Sequence, residues 1–372
     1  MVPEPQPGTV IAGRYELVEV AGRGGMADVW RGRVCGDWGF SRPIAIKRMH
    51  AALALQTPYV KMFVEEARVG AALQSPNLAE VHDFVAEDGN YFMIMEWIDG
   101  IDLGTWIKWH AQRGESTGWE LVAAIGVGIA RGLGSAHERQ TADGAVVPVV
   151  HRDVSPHNVL LTTRGVVKVI DFGLALTADR PEETTDAGVV KGKMSYLAPE
   201  IVSGGRPMPS SDQFASGSVL WESLVGRKLF DGQTDYETFV KLRECRVPPL
   251  RALRPDVPPG LVTVIQRALS AQSAERFPSV RDMGRELSMV IRRAHSGKDL
   301  HGLLARSVVE ARRAMGLGLR ADDPSAVTPV AEITPTAAAA ASARSGAPKV
   351  SEELAGPARG LRHRLAALVR RW

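Results

Sequence analysis

The pattern of hydrophobic residues changes along the chain, from alternation near the N terminus to helical spacing further on. In Tyr15–Val20 apolar and polar residues alternate, and a cluster of glycines leads into a second apolar run. A period of two, interrupted by glycines, predicts strands joined by a tight turn. Strands are predicted at Tyr15–Val20, Val29–Val34, Ile44–Lys47 and Tyr91–Ile98, and short β-branched runs follow at Val146–Val150 and Val166–Ile170.

Helical spacing characterises the other apolar segments. Pro58–Leu73 has its apolar residues on one helical face, and Leu121–His137 is apolar nearly all round, which predicts a buried helix. Helical patterns dominate from Asp212 to Ile291. Because strands precede helices, the sequence predicts an α+β protein with two segregated lobes.

The composition is that of an ordinary globular protein, with 45% apolar and 23% charged residues among 372. It excludes wholesale disorder, a collagen-like fibre and a strongly basic nucleic-acid coat. The longest apolar run, Leu121–Ala130, is shorter than the roughly 18 residues that a membrane helix needs. The N terminus lacks the pattern of a signal peptide, and two cysteines cannot form a disulfide framework or a zinc site alone. We therefore expect a reduced, cytoplasmic protein.

Charge is distributed unevenly between the body of the chain and its C-terminal end. Residues 292–372 contain 14 basic and 7 acidic residues, which leaves 31 basic and 35 acidic residues for the rest. The body is thus mildly acidic and shows no basic footprint for nucleic acid. The predicted organisation is a tail (1–13), a main domain (14–292), a helical extension (293–320), an Ala/Pro/Ser-rich linker (321–357) and a basic amphipathic tail (358–372).

The two last segments differ in character. In residues 321–348, 20 of 28 residues are Ala, Pro, Ser or Thr, which predicts a disordered linker. Beyond it Leu361, Leu365, Leu368 and Trp372 recur at helical spacing among arginines. This basic helix would suit an anionic membrane surface, a protein partner, or the approach to a membrane span outside this chain. A solvated tail is the fourth alternative, and a membrane-peripheral location follows only from the first.

Glycines dominate the predicted turn Gly22–Val29, where backbone amides can approach a polyphosphate without hindrance from a Cβ atom. The motif alone favours a plain hairpin turn, because short glycine motifs are weak signals. Lys47 ends the following apolar strand, and a buried ammonium needs an anionic partner. Glu66 lies 19 residues further on in the predicted helix. Glu66 could pair with Lys47 or lie on the solvated face of the helix, and the neighbouring Glu65 fits the solvated face better.

Two later segments place carboxylates and an amide beside predicted strand ends. His-Arg-Asp-Val-Ser-Pro-His-Asn (151–158) and Asp-Phe-Gly (171–173) each follow a β-branched run. Asn158 and Asp171 offer hard oxygen ligands for Mg²⁺, and Asp153 is a candidate acceptor for a hydroxyl proton. Asp-Phe-Gly alone fits a type I turn as well. The series continues with Ala198-Pro-Glu200 and Asp212.

In order and spacing, these motifs resemble the signature of the protein kinases. The resemblance covers Tyr15–Ile291, about three quarters of the chain. Gly-Gly-Met in the glycine turn and Tyr-Leu-Ala-Pro-Glu resemble the bacterial Hanks-type serine/threonine kinases in particular. Membership implies a bilobal protein-kinase fold, with a β-rich N-lobe (about 14–98) and a helical C-lobe (about 99–292). It also implies ATP and Mg²⁺ as cofactors and proteins as substrates.

The resemblance also implies which residues bind the nucleotide. Backbone amides of the glycine turn would cover the ATP phosphates, and Lys47, held by Glu66, would contact the α- and β-phosphates. Met95 lies at the gatekeeper position, before the hinge residues Glu96 and Ile98 whose backbone would meet adenine. The implied nucleotide-binding residues are Gly22, Arg23, Gly24, Gly25, Met26, Ala27, Val29, Ala45, Lys47, Met95, Glu96, Ile98 and Leu160.

For catalysis, the resemblance implies that Asp153 orients the substrate hydroxyl while Asn158 and Asp171 hold Mg²⁺. Metal ions and lysine neutralise charge on the transferring phosphoryl group, so most of the catalysis is positioning and electrostatics. Structural roles are implied for five other positions. They are a ring stack of His151 with Phe172, a buried bridge of Glu200 with Arg276, and Asp212 as the anchor of the catalytic loop.

Three positions depart from the family pattern. The third glycine of the turn is Ala27, the usual lysine two residues after the catalytic aspartate is Ser155, and the usual threonine after Gly192 is Lys193. In the family that lysine and threonine neighbour each other beside the aspartate. We therefore hypothesise that ammonium and hydroxyl have exchanged chain positions, with Lys193 reaching Asp153 and the γ-phosphate. The alternative is a solvent-directed Lys193 and a neutral Ser155.

A regulatory phosphosite is implied between Asp171 and Glu200. In the resembling kinases the arginine before the catalytic aspartate, here Arg152, binds a phosphate on this segment. Thr185 is the first candidate and Thr184 the second. A phosphate adds about −1.5 to −2 of charge and would order the segment against Arg152.

Two classes of function remain in competition. An active serine/threonine protein kinase is favoured by the full set of catalytic residues. A kinase-fold scaffold that binds nucleotide or partners without turnover is favoured only by Ser155 and Lys193. A tyrosine kinase and a small-molecule kinase rank lower, the first because of Pro156 and the second because of the Ala-Pro-Glu element.

Overall fold

The computed structural model describes residues 5–141, 143–172, 194–294 and 297–317. The N-terminal part is an antiparallel six-stranded sheet in the spatial order β1-β2-β3-β4-β6-β5. The strands are β1 Val10–Ile11, β2 Tyr15–Arg23, β3 Ala27–Cys35, β4 Ser41–Met49, β5 Val81–Glu87 and β6 Asn90–Glu96. Two helices, α1 (Ala51–Ala54) and α2 (Thr57–Ala72), connect β4 to β5.

The two faces of this sheet bury different sets of side chains, because successive residues of a strand point to opposite faces. Ile44 and Ile46 of β4 pack on one face with Trp30 of β3. The opposite face is covered by α2, whose Phe63 and Ala67 are buried there. Lys47 belongs to this second face, which places its ammonium group toward α2.

The N-terminal segment differs from the tail predicted for residues 1–13. Residues Val10–Ile11 pair with β2, and the carbonyl of Thr9 accepts a bond from the Leu17 amide at 2.9 Å. Ile11 is only 2% exposed and packs beside Tyr15. Burial of this side chain and pairing of the β2 edge explain why the segment adds a strand.

The C-terminal part is helical, as the order of patterns predicted. Its helices are α3 Leu103–Gln112, α4 Trp119–His137, α5 Pro199–Val202, α6 Pro209–Val225, α7 Asp235–Glu244, α8 Leu250–Leu253, α9 Pro259–Ala268 and α10 Val280–Arg293. Helix α4 is buried along most of its length and lies at the centre. Gly284 lets α10 approach it closely, since an added Cβ would lie 2.9 Å from the Ala130 Cβ.

A small sheet of β7 (Gly100–Asp102), β8 (Val159–Thr162) and β9 (Val167–Val169) lies on this helical part. The extension predicted for residues 293–320 contains a helix, α11 (Leu300–Ala314), which packs on β7, β8, α3 and α4. No helix among the described residues is long and apolar enough to cross a membrane. The predicted linker (321–357) and basic tail (358–372) lie outside the described residues.

Candidate active site

Three charged side chains from distant parts of the chain meet beside the six-stranded sheet. The Lys47 Nζ of β4 lies 2.7 Å from Glu66 Oε1 of α2 and 2.8 Å from Asp171 Oδ1, just after β9. Burial disfavours the ammonium, but the carboxylates of Asp171 and Glu66 outweigh burial and raise the pKa of Lys47 above its ordinary value. The lysine is therefore a fixed cation, held between the two parts of the fold.

Strand register explains which side chains share the face of Lys47. Val29 of β3 lies opposite Lys47, and Ala45 of β4 lies opposite Met95 of β6. Residues directly opposite in an antiparallel pair project to the same face. The structure thus places these four residues on one face, next to the strand end where Glu96 and Ile98 begin the connection to β7. Leu160 is half-buried in β8, which belongs to the other sheet.

The glycine turn lies between β2 and β3. Gly22 and Arg23 end β2, and the Gly24 amide donates to the Ala27 carbonyl at 3.0 Å. An added Cβ at Gly22 or Gly25 would meet no protein atom within 4 Å. Packing within the described residues therefore does not demand glycine there, whereas close approach of a ligand to the backbone would.

The first departure from the family pattern, Ala27, has a packing explanation. Its methyl group is buried in the cluster that Met49 and α2 form, and the neighbouring Met26 packs against the same cluster. The extra methyl is therefore directed into the core below the turn. It does not obstruct the exposed backbone of Gly24 and Gly25.

The loop that carries Asp153 is held from below by one buried carboxylate. Asp212 of α6 is 1% exposed and accepts bonds from the backbone amides of His151, at 2.8 Å, and Arg152, at 3.0 Å. Its Oδ2 also lies 2.7 Å from His137 Nε2 of α4. Arg152 has a φ of 69°, a strained backbone conformation that these bonds help to maintain.

Asp153 and Asn158 lie together at the end of this loop. The Asn158 Nδ2 donates to the Asp153 carboxylate and to its backbone carbonyl, both at 2.8 Å. The next turn is tied to the same loop, because His151 Nε2 is 2.9 Å from the Ile170 carbonyl and the His151 ring centroid is 4.8 Å from that of Phe172. Asp153, Asn158 and Asp171 are thereby fixed relative to one another.

The donor chemistry of the site fits Mg²⁺ and a nucleotide. Asn158 directs its amide nitrogen at Asp153, which leaves its side-chain oxygen as the candidate ligand. Asp171 engages Lys47 through one oxygen, and a carboxylate has about four lone-pair sites. Mg²⁺ commonly takes one or two protein carboxylates and completes its shell with water and phosphate oxygens, so no three-residue cluster is needed. Asp171 also has a positive φ of 54°.

The second and third departures are only partly visible. Ser155 is 4% exposed and precedes the 3₁₀ turn Pro156–Asn158, two residues from Asp153. Lys193, Thr184 and Thr185 lie outside the described residues, so their predicted contacts stay predictions. Within the described residues, the buried Nε of Arg152 has no hydrogen-bond partner.

The bridge between Glu200 and Arg276 is present, with the arginine buried and the glutamate half-buried. The two terminal guanidinium nitrogens of Arg276 donate to the two Glu200 oxygens at 2.7 Å each. Arg276 also donates to the carbonyls of Ser210 and Ser270, each at 2.9 Å. This pair ties the Ala-Pro-Glu segment to the loop before α10 and lies away from the reacting groups.

Sequence reasoning did not identify two residues that hold the connection between the sheets. Lys168 of β9 contacts Glu96 at 2.7 Å, and Arg312 of α11 contacts Asp99 at 2.7 Å. Lys168 is a lysine within a short apolar strand, the same signal that identified Lys47. Arg312 is one of several arginines near the end of a helix, and its sequence neighbours give no sign of its partner.

Comparisons with known proteins agree with this geometry. The family described as Protein kinase domain matches residues 15–283. The chain is 36% identical over 267 residues to the tyrosine-protein kinase MasK of Myxococcus xanthus, covering 72% of this chain and 41% of that protein. It is 32% identical over 276 residues to the serine/threonine-protein kinase PrkC of Bacillus subtilis, covering 74% and 40%. The chain thus spans less than half the length of these two relatives.

A solved structure gives the same result for the fold. The PknI kinase domain of Mycobacterium tuberculosis aligns with a TM-score of 0.57 at 28% identity, covering 77% of this chain and 99% of that one. The match extends over both the β-rich and the helical part. With the family match over residues 15–283 and the assembled site, these findings show that the chain belongs to the protein kinase family, among the bacterial Hanks-type kinases.

Proposed function

We propose that this chain transfers the γ-phosphoryl group of ATP to serine and threonine hydroxyls of proteins, in bacterial signalling. The observation that carries the proposal is the assembled contact of Lys47 with both Glu66 and Asp171. Bound Mg²⁺-ATP supplies the phosphoryl group and its charge neutralisation. Lys47 binds the phosphates, Asn158 and Asp171 are the metal ligands, and Asp153 accepts the proton of the substrate hydroxyl.

A second contact, between Asp153 and Asn158, argues against a scaffold without turnover. A scaffold needs a nucleotide pocket, but it does not need Asp153 fixed at 2.8 Å from Asn158 beside that pocket. The acceptor residue has two candidates. PrkC is named a serine/threonine kinase and MasK a tyrosine kinase, so tyrosine transfer is the second candidate.

The direct test is the intact mass of the purified chain after incubation with Mg²⁺ and ATP. We expect increments of one phosphate each, and none when EDTA removes the metal. Phosphoamino-acid analysis of the product, and of casein as an added acceptor, should show phosphoserine and phosphothreonine. Phosphotyrosine alone would favour the second candidate. No transfer to either protein would contradict the proposal and favour the scaffold.

Activation by self-phosphorylation is part of this proposal. The buried Arg152 Nε, unpartnered among the described residues, supports a phosphate acceptor at Thr185 or Thr184. We expect peptide mapping to place the first phosphate on Thr185 or Thr184. Preincubation with ATP should increase the initial rate of transfer by the unmodified chain, and the Thr184→Ala/Thr185→Ala chain should lose this increase. Unchanged kinetics in the double variant would contradict the regulatory role.

We also propose that Ser155 and Lys193 have exchanged the roles of lysine and threonine in this family. Ser155→Lys and Lys193→Thr should each lower kcat/KM, the first by crowding two ammonium groups and the second by removing the cation near the γ-phosphate. The double substitution restores one ammonium and one hydroxyl. It should therefore be more active than either single variant in steady-state transfer to casein. A double variant no more active than the singles would contradict the exchange.

A further inference from the structure

The segment Glu96–Asp99 joins the two parts of the fold, and a basic side chain forms an ion pair with the acidic residue at each of its ends. At its start Glu96 contacts Lys168 of β9 at 2.7 Å. At its end the Asp99 carboxylate contacts Arg312 of α11 at 2.7 Å. We call this segment the hinge. Its two acidic residues are thus paired with side chains from separate elements of the C-terminal part.

Arg312 is unusual because a terminal helix places it almost completely inside the protein. Its residue exposure is 5%, and its Nη1 also donates to the Gly100 carbonyl at 3.0 Å. A buried guanidinium must be paired and hydrogen-bonded to be tolerated. Arg312 therefore fixes both the last hinge side chain, Asp99, and the backbone that follows it.

The other side of the same backbone is held by the small sheet. The Thr163 amide donates to the Asp99 carbonyl at 2.9 Å, and an added Cβ at Gly100 would lie 2.1 Å from the Leu161 carbonyl. The exit of the hinge is therefore enclosed between β8 and α11. Motion of the hinge relative to α11 would have to break the contacts of Arg312, and motion relative to β8 would have to break the Thr163–Asp99 bond.

Helix α11 is itself anchored along its whole length. Leu304, Val308 and Ala311 are buried in the main core cluster. The Trp106 Nε1 of α3 donates to Ser307 Oγ at 2.9 Å. Because these contacts fix the helix, they also fix the position from which Arg312 reaches the hinge. The helix follows residue 283, where the match to the kinase family ends, so it is an addition to the family domain.

We propose that α11 braces the nucleotide-binding hinge, with Arg312 as a positioning residue that acts through Asp99 and Gly100. The brace holds the backbone of Glu96 and Ile98 in the conformation that accepts the adenine base. The inference rests on the proposed function only in assigning adenine to the hinge. It predicts a separate property of the apo chain, namely slow opening of the hinge.

The test uses the full chain with Arg312→Met, Arg312→Lys and Asp99→Asn, and Arg313→Met as the matched control. Arg313 is the exposed neighbour of Arg312, so the control removes the same charge from the same turn. Three quantities are measured at a temperature where every variant is folded. They are amide hydrogen exchange of peptides covering residues 96–102, the affinity for Mg²⁺-ATP by calorimetry, and KM for ATP against kcat.

We expect Arg312→Met to accelerate exchange in the hinge peptides selectively and to raise KM for ATP about fivefold, with kcat within about twofold. Arg312→Lys should give intermediate exchange and KM, because it keeps the charge but replaces the rigid guanidinium with a flexible ammonium group. The Arg312→Met/Asp99→Asn double variant should be no worse than its worse single variant, since both remove one contact. Arg313→Met should match the unmodified chain.

Other results would overturn the inference. Hinge exchange and ATP affinity in Arg312→Met equal to those of Arg313→Met would show that the contact does not constrain the hinge. Hydrogen exchange that rises equally across the whole domain would show a purely structural role. If Arg312→Met does not fold, the same comparison of exchange and ATP affinity is made with Arg312→Lys and Asp99→Asn. If the unmodified chain binds ATP but transfers no phosphate, the proposed function fails while exchange and affinity still decide the brace. Absence of ATP binding would overturn both.

Discussion

Asp153→Asn is expected to lower kcat for phosphoryl transfer by about 10²–10⁴-fold, while the affinity for Mg²⁺-ATP stays close to that of the unmodified chain. The reason lies in the bonds that the substitution keeps. An asparagine at this position can still accept from the Asn158 Nδ2 through its side-chain oxygen, and the bond to the backbone carbonyl is unaffected. The substitution removes the negative charge and the capacity to accept a proton.

The measurement is steady-state transfer to casein together with calorimetric binding of Mg²⁺-ATP. Asp88→Asn is a suitable control, because Asp88 lies exposed in the turn between β5 and β6 at a φ of 48°, which asparagine tolerates. The control should change neither quantity. A residual kcat within tenfold of the unmodified chain would show that Asp153 is not the proton acceptor, and lost ATP binding would show that the substitution disturbs the site as a whole.

The residues of the site could be predicted because each lies at a boundary that short-range patterns mark. Lys47 closes the apolar run Ile44–Ile46 inside β4, Asp171 follows β9, and Asn158 directly precedes β8. Glycines mark the turn at Gly22–Gly25. Strand ends are specified by local alternation and turn residues, so the convergence of these residues could be argued without knowledge of the whole fold.

Long-range partners could not be predicted in the same way. Arg312 reaches Asp99 across more than 200 positions of chain, and nothing in the spacing of the α11 residues distinguishes it from the exposed Arg313. The pair of Lys168 with Glu96 depends on which strands come to lie beside the hinge. Such contacts are fixed by the packing of helices and sheets, which a pattern of apolar residues constrains only on average.

Local propensity was also overridden in one segment. Val146–Val150 is a β-branched run, yet among the described residues its ladder contact is a single bridge between Val146 and Gln140. Val146 and Val147 are exposed, while Val149 is buried beneath the catalytic loop. In the described part of the chain, the Val147 and Val149 amides donate instead to the carbonyls of Arg139 and Ala136, around the end of α4, so the segment serves as a lead into His151 and not as a strand of a sheet.

The largest effect on stability is expected from Arg276→Met, which should lower the free energy of unfolding by about 3–5 kcal/mol. Methionine fills much of the same space but removes the guanidinium from Glu200 and from the carbonyls of Ser210 and Ser270. Among the described side chains, Glu200 then keeps only the bond from the Ser211 hydroxyl. Arg285→Met is the matched control, since Arg285 pairs with Asp282 on the exposed face of α10. Arg285→Met should lower the free energy of unfolding by no more than about 1 kcal/mol, because exposed ion pairs contribute little.

The pH dependence of the same difference identifies its cause. Burial raises the pKa of Glu200, but the bonds from Arg276 outweigh burial and hold it below the ordinary 4.5. A carboxyl whose pKa is lowered on folding stabilises the protein fully above its unfolded pKa and loses this contribution as the pH falls through the folded value. The free energy of unfolding measured in urea should therefore differ most between the unmodified chain and Arg276→Met near neutral pH. The gap should narrow below pH 4.5 as Glu200 is protonated. A constant gap would mean that Arg276 stabilises through packing on Phe214, whose ring centroid lies 5.0 Å away, and not through charge.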